Sequence, residues 1–201
     1  MPPEPLPLTV EPVSEANLAG LQKLFEGSHS SCYCRWWHFT GNKNEWLDRC
    51  AHRAEENAAE QSDAVHGGEP AGKGLVAIDE TGAVVGWLKL TPRSAVKKLR
   101  SLPVYRSLDL GDEDTTWSIG CLLVHPDRRR HGVARALIEA APGFAKTWGA
   151  HAVEAYPRRA THPLSDEEAW QGNEALYLAA GFTVVHDVAP YPVLRRSTQP
   201  A

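Results

Sequence analysis

No stretch of this sequence approaches the ~20 consecutive apolar residues that a membrane-crossing helix needs. The opening Met1-Pro2-Pro3-Glu4-Pro5 lacks the charged-then-apolar order of a secretion signal, so a cytoplasmic location is expected. Positive charge is not in excess. The 21 Lys and Arg stand against 25 Asp and Glu, a formal net charge of −4 that argues against a general binder of nucleic acid or membrane surfaces. Cysteine is scarce: four, at positions 32, 34, 50 and 121, are too few and too irregularly spaced for a disulfide scaffold, so reduced thiols are expected. Internal repeats and low-complexity tracts are missing too. What remains, 201 residues, suffices to bury one core, and a single domain over 1–201 is expected, with loose ends at 1–6 and 197–201.

Apolar periodicity gives the element order. Leu8 to Val13 alternates as a first strand, and Ser14 stands where it can cap a helix carrying Leu18, Leu21, Leu24 and Phe25 on one face. A second helix is expected from about Asn44 to Glu60, and the polar, glycine-rich Gln61 to Gly74 reads as a mobile loop. Leu75 to Ile78 and Val84 to Leu90 flank a turn as a central hairpin. Pro92 to Asp114 is long enough for a lid or a short extra helix. A buried strand from Trp117 to Val124, a helix with Val133, Leu137, Ile138, Ala141 and Phe144 on one face, and a strand from His151 to Tyr156 follow. Glu167 to Ala180 reads as a helix ended by Gly181, before strands at Phe182 to Asp187 and Tyr191 to Arg195. The sum is a mixed α/β pattern. Pro142-Gly143 falls inside a helical stretch and predicts a kink or break there.

The most informative segment is Val124-His125-Pro126-Asp127-Arg128-Arg129-Arg130-His131-Gly132-Val133-Ala134, which leaves a strand, turns through positive charge and opens a helix. The first-turn N–H groups and the helix dipole attract an anion, small side chains at Gly132 and Ala134 let it approach the backbone, and several guanidinium groups suit a polyphosphate. The pattern Val-x-Pro-x-x-Arg-x-x-Gly-x-Ala, on Val124, Pro126, Arg129, Gly132 and Ala134, resembles the acyl-CoA signature of the GCN5-related N-acetyltransferases. That resemblance implies a mixed, mostly antiparallel central sheet with flanking helices and a splayed parallel strand pair at the cofactor groove. It implies acetyl-CoA as cofactor, its pyrophosphate on Arg129, Arg130, His131, Gly132, Val133 and Ala134, and its pantetheine along Leu122, Leu123 and Val124. Backbone N–H groups of Cys121 to Val124, freed by a bulge at Gly120, would also stabilise the developing oxyanion.

Gly172-Asn173-Glu174-Ala175-Leu176-Tyr177-Leu178-Ala179-Ala180-Gly181-Phe182 resembles the family's second landmark. It implies that Asn173 meets the cofactor and that Tyr177, also at the cofactor, protonates the departing thiolate. Packing of the Tyr177 ring in the core is the competing expectation. An alkylamine of pKa about 10 is almost wholly protonated at neutral pH, so a base or water relay is needed. The strand from Thr115 to Val124 carries no Asp or Glu, where many members of the family have a glutamate. Glu154 on the next strand is the best carboxylate candidate, with His125 and Asp114 behind it, and an exposed or salt-bridged Glu154 is the alternative.

Two further segments invite chemistry. Gly67 to Lys73 fits the first seven positions of a P-loop, but Gly74 replaces the Ser or Thr and a strand follows, so a flexible loop is expected. His29 to His38 holds Cys32, Cys34, Tyr33, Trp36 and Trp37. Zinc ligation or a reactive thiol is open there, but Cys-x-Cys is poor knuckle spacing, and no metal is expected. An aromatic wall over the acceptor, or plain packing, is favoured for Tyr33, Trp36 and Trp37, and Trp36, Trp37 and Tyr156 are the substrate-binding candidates, with a solvated basic loop the alternative at 156–159. The sequence thus points to an acetyl-CoA-dependent N-acetyltransferase acting on a small-molecule or peptide amine by direct attack, with no nucleic-acid or membrane partner and a homodimer left open. The alternative is a non-catalytic acyl-CoA-binding sensor or partner module of the same fold.

Overall fold

The computed structural model describes residues 6–160, 162, 164–165 and 168–199. Seven strands form one sheet in the order β1-β2-β3-β4-β5-β7-β6. They are β1 (Leu8–Pro12), β2 (Gly74–Asp79), β3 (Val84–Pro92), β4 (Thr116–Val124), β5 (Ala152–Ala155), β6 (Thr183–His186) and β7 (Val193–Ser197). All neighbours run antiparallel except β4 and β5, which pair in parallel over Thr116–Ile119 and Ala152–Ala155. Beyond Ile119 the pair separates, so a mixed sheet with a splayed parallel pair is what the chain forms. Gly120 is the extra residue of a bulge, because Lys89 faces Cys121 while Leu90 faces Ile119.

The helices are α1 (Glu15–Gly27), α2 (Lys43–His52), α3 (Ala54–His66), α4 (Pro103–Arg106), α5 (Val133–Thr147) and α6 (Glu174–Ala179). On one side of the sheet, α5 presses Val133, Leu137, Ile138, Ala141 and Ala145 onto Leu75, Ala77, Leu88 and Ile119. Burying each of the Val, Leu and Ile side chains contributes about 1.5–3 kcal/mol. The i, i+4 spacing of those residues makes the helix amphipathic. Gly86 admits it at close range: a Cβ there would lie 2.4 Å from Val133 Cγ1. On the opposite side, Leu21, Leu24 and Phe25 of α1 cover Val76, Val84 and Trp87, and a further cluster gathers Trp37, Val96, Leu99, Tyr105, Leu110, Tyr156 and Val193.

Several elements differ from expectation. The single helix expected to Glu60 is two, divided at Arg53, whose φ of −143° leaves the helical region and whose guanidinium joins Asp48 of α2 to Glu56 of α3. The expected loop after Glu60 is largely helix: α3 continues to His66, with Gln61 and Ala64 buried. Helix α5 runs unbroken through Pro142, a buried position where packing on the sheet outweighs one lost hydrogen bond. Helix α6 begins only after Asn173, whose Oδ1 accepts from Ala175 N–H at 2.8 Å, so Asn173 is a cap rather than an interior residue. Ser197 ends β7, and Thr198 is buried with its hydroxyl donated to Ala150 O at 2.6 Å. Leu6 N–H likewise reaches His131 O at 3.2 Å. The remaining terminal residues lie outside the described ones.

Candidate active site

The turn between β4 and α5 has the geometry its sequence suggests. Arg130 and Gly132 both take positive φ, 69° and 84°, and Gly132 is the N-cap of α5 with no side chain over the first-turn N–H groups. Alternating hand along a short backbone stretch turns successive N–H groups inward as an anion-binding concavity. Arg128 is held by Asp79 at 3.4 Å, while Arg130 is exposed and Arg129 and His131 are half-buried. Asp79 in turn binds Thr81 Oγ1, and those hydrogen bonds, led by Thr81, keep its carboxyl below the usual range. The turn is thus pinned at its base by Asp79.

The other end of the groove is closed. Trp170 O accepts from Leu122 N–H at 2.7 Å, on the edge that β4 turns toward β5 after the splay. Gln171 O accepts the Tyr177 hydroxyl at 2.8 Å. Gly172, at φ 82°, lies so close that a Cβ would stand 2.8 Å from Leu122 Cδ1 and 3.0 Å from Tyr177 Oη. One short segment therefore occupies both the backbone donor and the phenol expected to serve a thioester. Tyr177 is 0% exposed, its ring meets Phe182 edge to face, and burial raises its phenol well above the ordinary value. In this conformation it packs in the core, and its proton points at Gln171.

Glu154 is not a free base. Its Oε1 accepts from Arg195 Nε at 2.9 Å, and its Oε2 from Arg93 Nη1 at 2.8 Å and Tyr156 Oη at 2.9 Å, all with the carboxylate 0% exposed. With two guanidinium groups and a phenol on its oxygens, it ties β5 to β7 and to the segment after β3. Tyr156 is correspondingly withdrawn from the expected acceptor wall. Its hydroxyl sits between Ser118 and Glu154, its ring against Tyr105, and desolvation raises its pKa.

Trp36 and Trp37 do line a cavity, of about 580 Å³, with Leu102, Tyr105, Trp170 and Tyr191 among the other walls. Trp37 Nε1 donates to Gly120 O at 2.6 Å, and its ring lies 5.6 Å from that of Trp170. A Cβ on Gly120 would come 2.8 Å from the Trp37 ring, so that approach requires glycine. The bulge thus receives the wall of the cavity.

Cys34 is buried and accepts from Trp87 Nε1 at 3.3 Å. Desolvation raises its thiol, and Cys34 beside it raises that of Cys32, which makes both weak nucleophiles at neutral pH. Among the described residues, no group of three or more His, Cys, Asp or Glu could hold a metal ion. Gly67 to Lys73 forms a turn and a short helical turn over Pro70–Gly72 that leads into β2. Sequence reasoning missed Lys89, 1% exposed, whose ammonium bonds Ala71 O and is lowered to about 7, first by burial and then by Arg35. Its signal was present: Trp87, Lys89 and Thr91 alternate onto one inward face. The Trp170 to Gly172 contact had no such local signal.

An α/β enzyme with a splayed parallel strand pair, and an anion-binding turn at the start of the following helix, is what these elements compose. The chain belongs to the acetyltransferase (GNAT) family, whose sequence pattern matches residues 33–167. Solved structures agree in fold. PaiA N-acetyltransferase from Thermoplasma acidophilum, in complex with coenzyme A, has a TM-score of 0.55 at 12% identity, over 96% of this chain and 99% of that one. YncA, a putative acetyltransferase from Salmonella typhimurium with acetyl-CoA, has a TM-score of 0.54 at 18% identity, over 96% and 95%. The GNAT family N-acetyltransferase YhbS from Escherichia coli, in complex with CoA, has a TM-score of 0.54 at 17% identity, over 98% and 84%. No curated protein matches the chain.

Proposed function

We propose that this chain transfers an acetyl group from acetyl-CoA to a primary amine by direct attack within a ternary complex. The observation that carries the reading is the turn with positive φ at Arg130 and Gly132, which leads straight into the N-terminus of α5 on a fold of this family. Arg129, Arg130, His131, Gly132, Val133 and Ala134 fit the pyrophosphate end, through backbone N–H groups and positive charge. Leu122, Leu123 and Val124 are the strand along which pantetheine would run, with Asn173 and Tyr177 across from it. Acetyl-CoA supplies an activated acyl group. The amine nitrogen forms the new bond to the thioester carbonyl carbon, the carbon–sulfur bond breaks, and the amine proton leaves as the thiolate gains one.

The Trp170 to Gly172 segment must shift for this to occur. Its withdrawal frees Leu122 N–H for pantetheine and releases the Tyr177 hydroxyl from Gln171 O, so one movement provides both a binding partner and the acid. Glu154 serves to hold β5 and not as the base. Calorimetry with coenzyme A and an assay of thiol release over a panel of amines test the reading. Binding with turnover is expected, and absence of binding by folded protein refutes it.

A second reading has one observation in its favour: both candidate catalytic side chains are engaged elsewhere. A sensor or partner module of this fold would bind acyl-CoA and release no thiol with any amine. The two readings separate on turnover alone.

A further inference from the structure

The cavity beside the bulge is open to a more specific reading, which rests on the proposed acetyl transfer. Its walls are largely aromatic and aliphatic: Trp36, Trp37, Leu102, Tyr105, Trp170 and Tyr191. At about 580 Å³ it lies within the 300–1,000 Å³ of sites that enclose a small molecule. Two of its walls touch the β4 backbone where the sheet splays, Trp37 at Gly120 O and Trp170 at Leu122 N–H. The Trp170 wall is also the segment that must shift for pantetheine, so the same movement opens the cavity toward the thioester.

Its charge is unlike that of a site for a polycation. The carboxylate lining it among the described residues is Glu168, already bound by Arg158 Nη1 and by Ser165 N–H at 3.1 Å. Lys98 Nζ lies 4.4 Å from the centre of the Trp36 ring and donates to Gly41 O, so that ring has its cation. Lys89 packs on the Gly120 bulge that receives Trp37, Arg35 is ion-paired with Glu60 at 3.3 Å, and His38 is lowered to about 3 by burial and then by Lys89 and Arg35. The remaining titratable walls are phenols, Tyr105 and Tyr191, and burial raises Tyr105. An amine entering here leaves water for apolar walls, which favours its neutral form.

We propose that the cavity is the acceptor site and that it takes a weakly basic primary amine carried on an aromatic or apolar body, bound as the neutral amine. Such an acceptor needs no strong side-chain base. This accounts for a site whose best carboxylate candidate, Glu154, is locked between two arginines. At pH 7 an α-amino group of pKa about 8 is about one-tenth neutral, whereas an alkylamine of pKa about 10.4 is neutral in fewer than one molecule in a thousand.

The test compares acceptors of matched shape with acetyl-CoA and the full chain. Phenylalanine amide and phenethylamine share an aromatic body and differ in basicity, while spermidine and a peptide with a lysine side chain are strongly basic and polar. Expected at pH 7 is a kcat/KM at least about tenfold higher for phenylalanine amide than for phenethylamine, a gap that narrows as pH rises to 9, and negligible turnover of the other two. Val104→Trp, which fills the cavity, should raise KM for phenylalanine amide about tenfold and leave coenzyme A affinity unchanged by calorimetry. Preference for spermidine or the lysyl peptide, equal rates for the two aromatic amines at every pH, or no effect of Val104→Trp overturns the assignment. Coenzyme A binding without turnover of any amine overturns it in favour of the sensor reading, and absence of coenzyme A binding overturns the acetyltransferase reading itself.

Discussion

Two parts of strand β4, its C-terminal end and its bulge, contrast sharply. At its C-terminal end, Val124 leads into a turn whose working parts are main-chain N–H groups, two positive-φ residues and exposed charge, all within a dozen residues of sequence. Around its bulge, Gly120 and Leu122 are engaged by Trp37 and Trp170, and Ser118 by Tyr156, from three separate segments. The first presents main-chain donors through local backbone shape, as the proposed anion site requires. The second depends on side chains and carbonyls brought from far along the chain, and in this conformation it is closed. On the proposed reading, recognition of the cofactor and selection of the acceptor would rest on different physical principles at the C-terminal end and in the middle of one strand.

The contrast can be broken or sharpened experimentally. The largest effect belongs to the buried part. Glu154→Ala leaves Arg93 buried with its counter-charge gone, and should cost about 3–5 kcal/mol in denaturant unfolding. A loss below 1 kcal/mol would mean the network is dispensable. At the turn, Gly132→Val imposes a β-branched side chain at φ 84° and should weaken coenzyme A binding about 100-fold, ~2.7 kcal/mol, while the backbone strain lowers the melting temperature by a few degrees. Unaltered affinity in calorimetry would remove the turn from the site. Tyr177→Phe should lower kcat about 10- to 100-fold and leave coenzyme A affinity within about twofold, since only a proton donor is removed. A full rate across pH would reject Tyr177 as the acid. The smallest effect tests the contact between the two parts: Trp170→Ala removes the ring that anchors the segment on Trp37, and should tighten coenzyme A binding about tenfold, ~1.4 kcal/mol. Hydrogen exchange at the Leu122 amide should quicken in the same variant, and unchanged exchange with unchanged affinity would show that the segment does not gate the groove.

Much of the fold was legible because its signals are short-range. The strand from Trp117, the turn and the apolar face of α5 lie in consecutive sequence, and periods of two and near four residues report burial directly. The bulge at Gly120 was also readable, as a glycine inside an apolar strand. The division of α2 from α3 was not, because Arg53 breaks the helix for ion pairs that propensity does not weigh. The roles of Glu154 and Tyr156 stayed open in the sequence for a related reason. A carboxylate and a phenol on an inward strand face look alike whether they meet a substrate or Arg93, Arg195 and Ser118.

The amino-acid order alone therefore determined the layered α/β class and the anion-binding turn, whose hydrogen-bonding groups are main-chain atoms of neighbouring residues. The tertiary structure decided what Tyr177, Glu154 and the two tryptophans at 36 and 37 do. Their partners sit on other elements, and burial and charge at such sites are set by contacts made only when those elements meet.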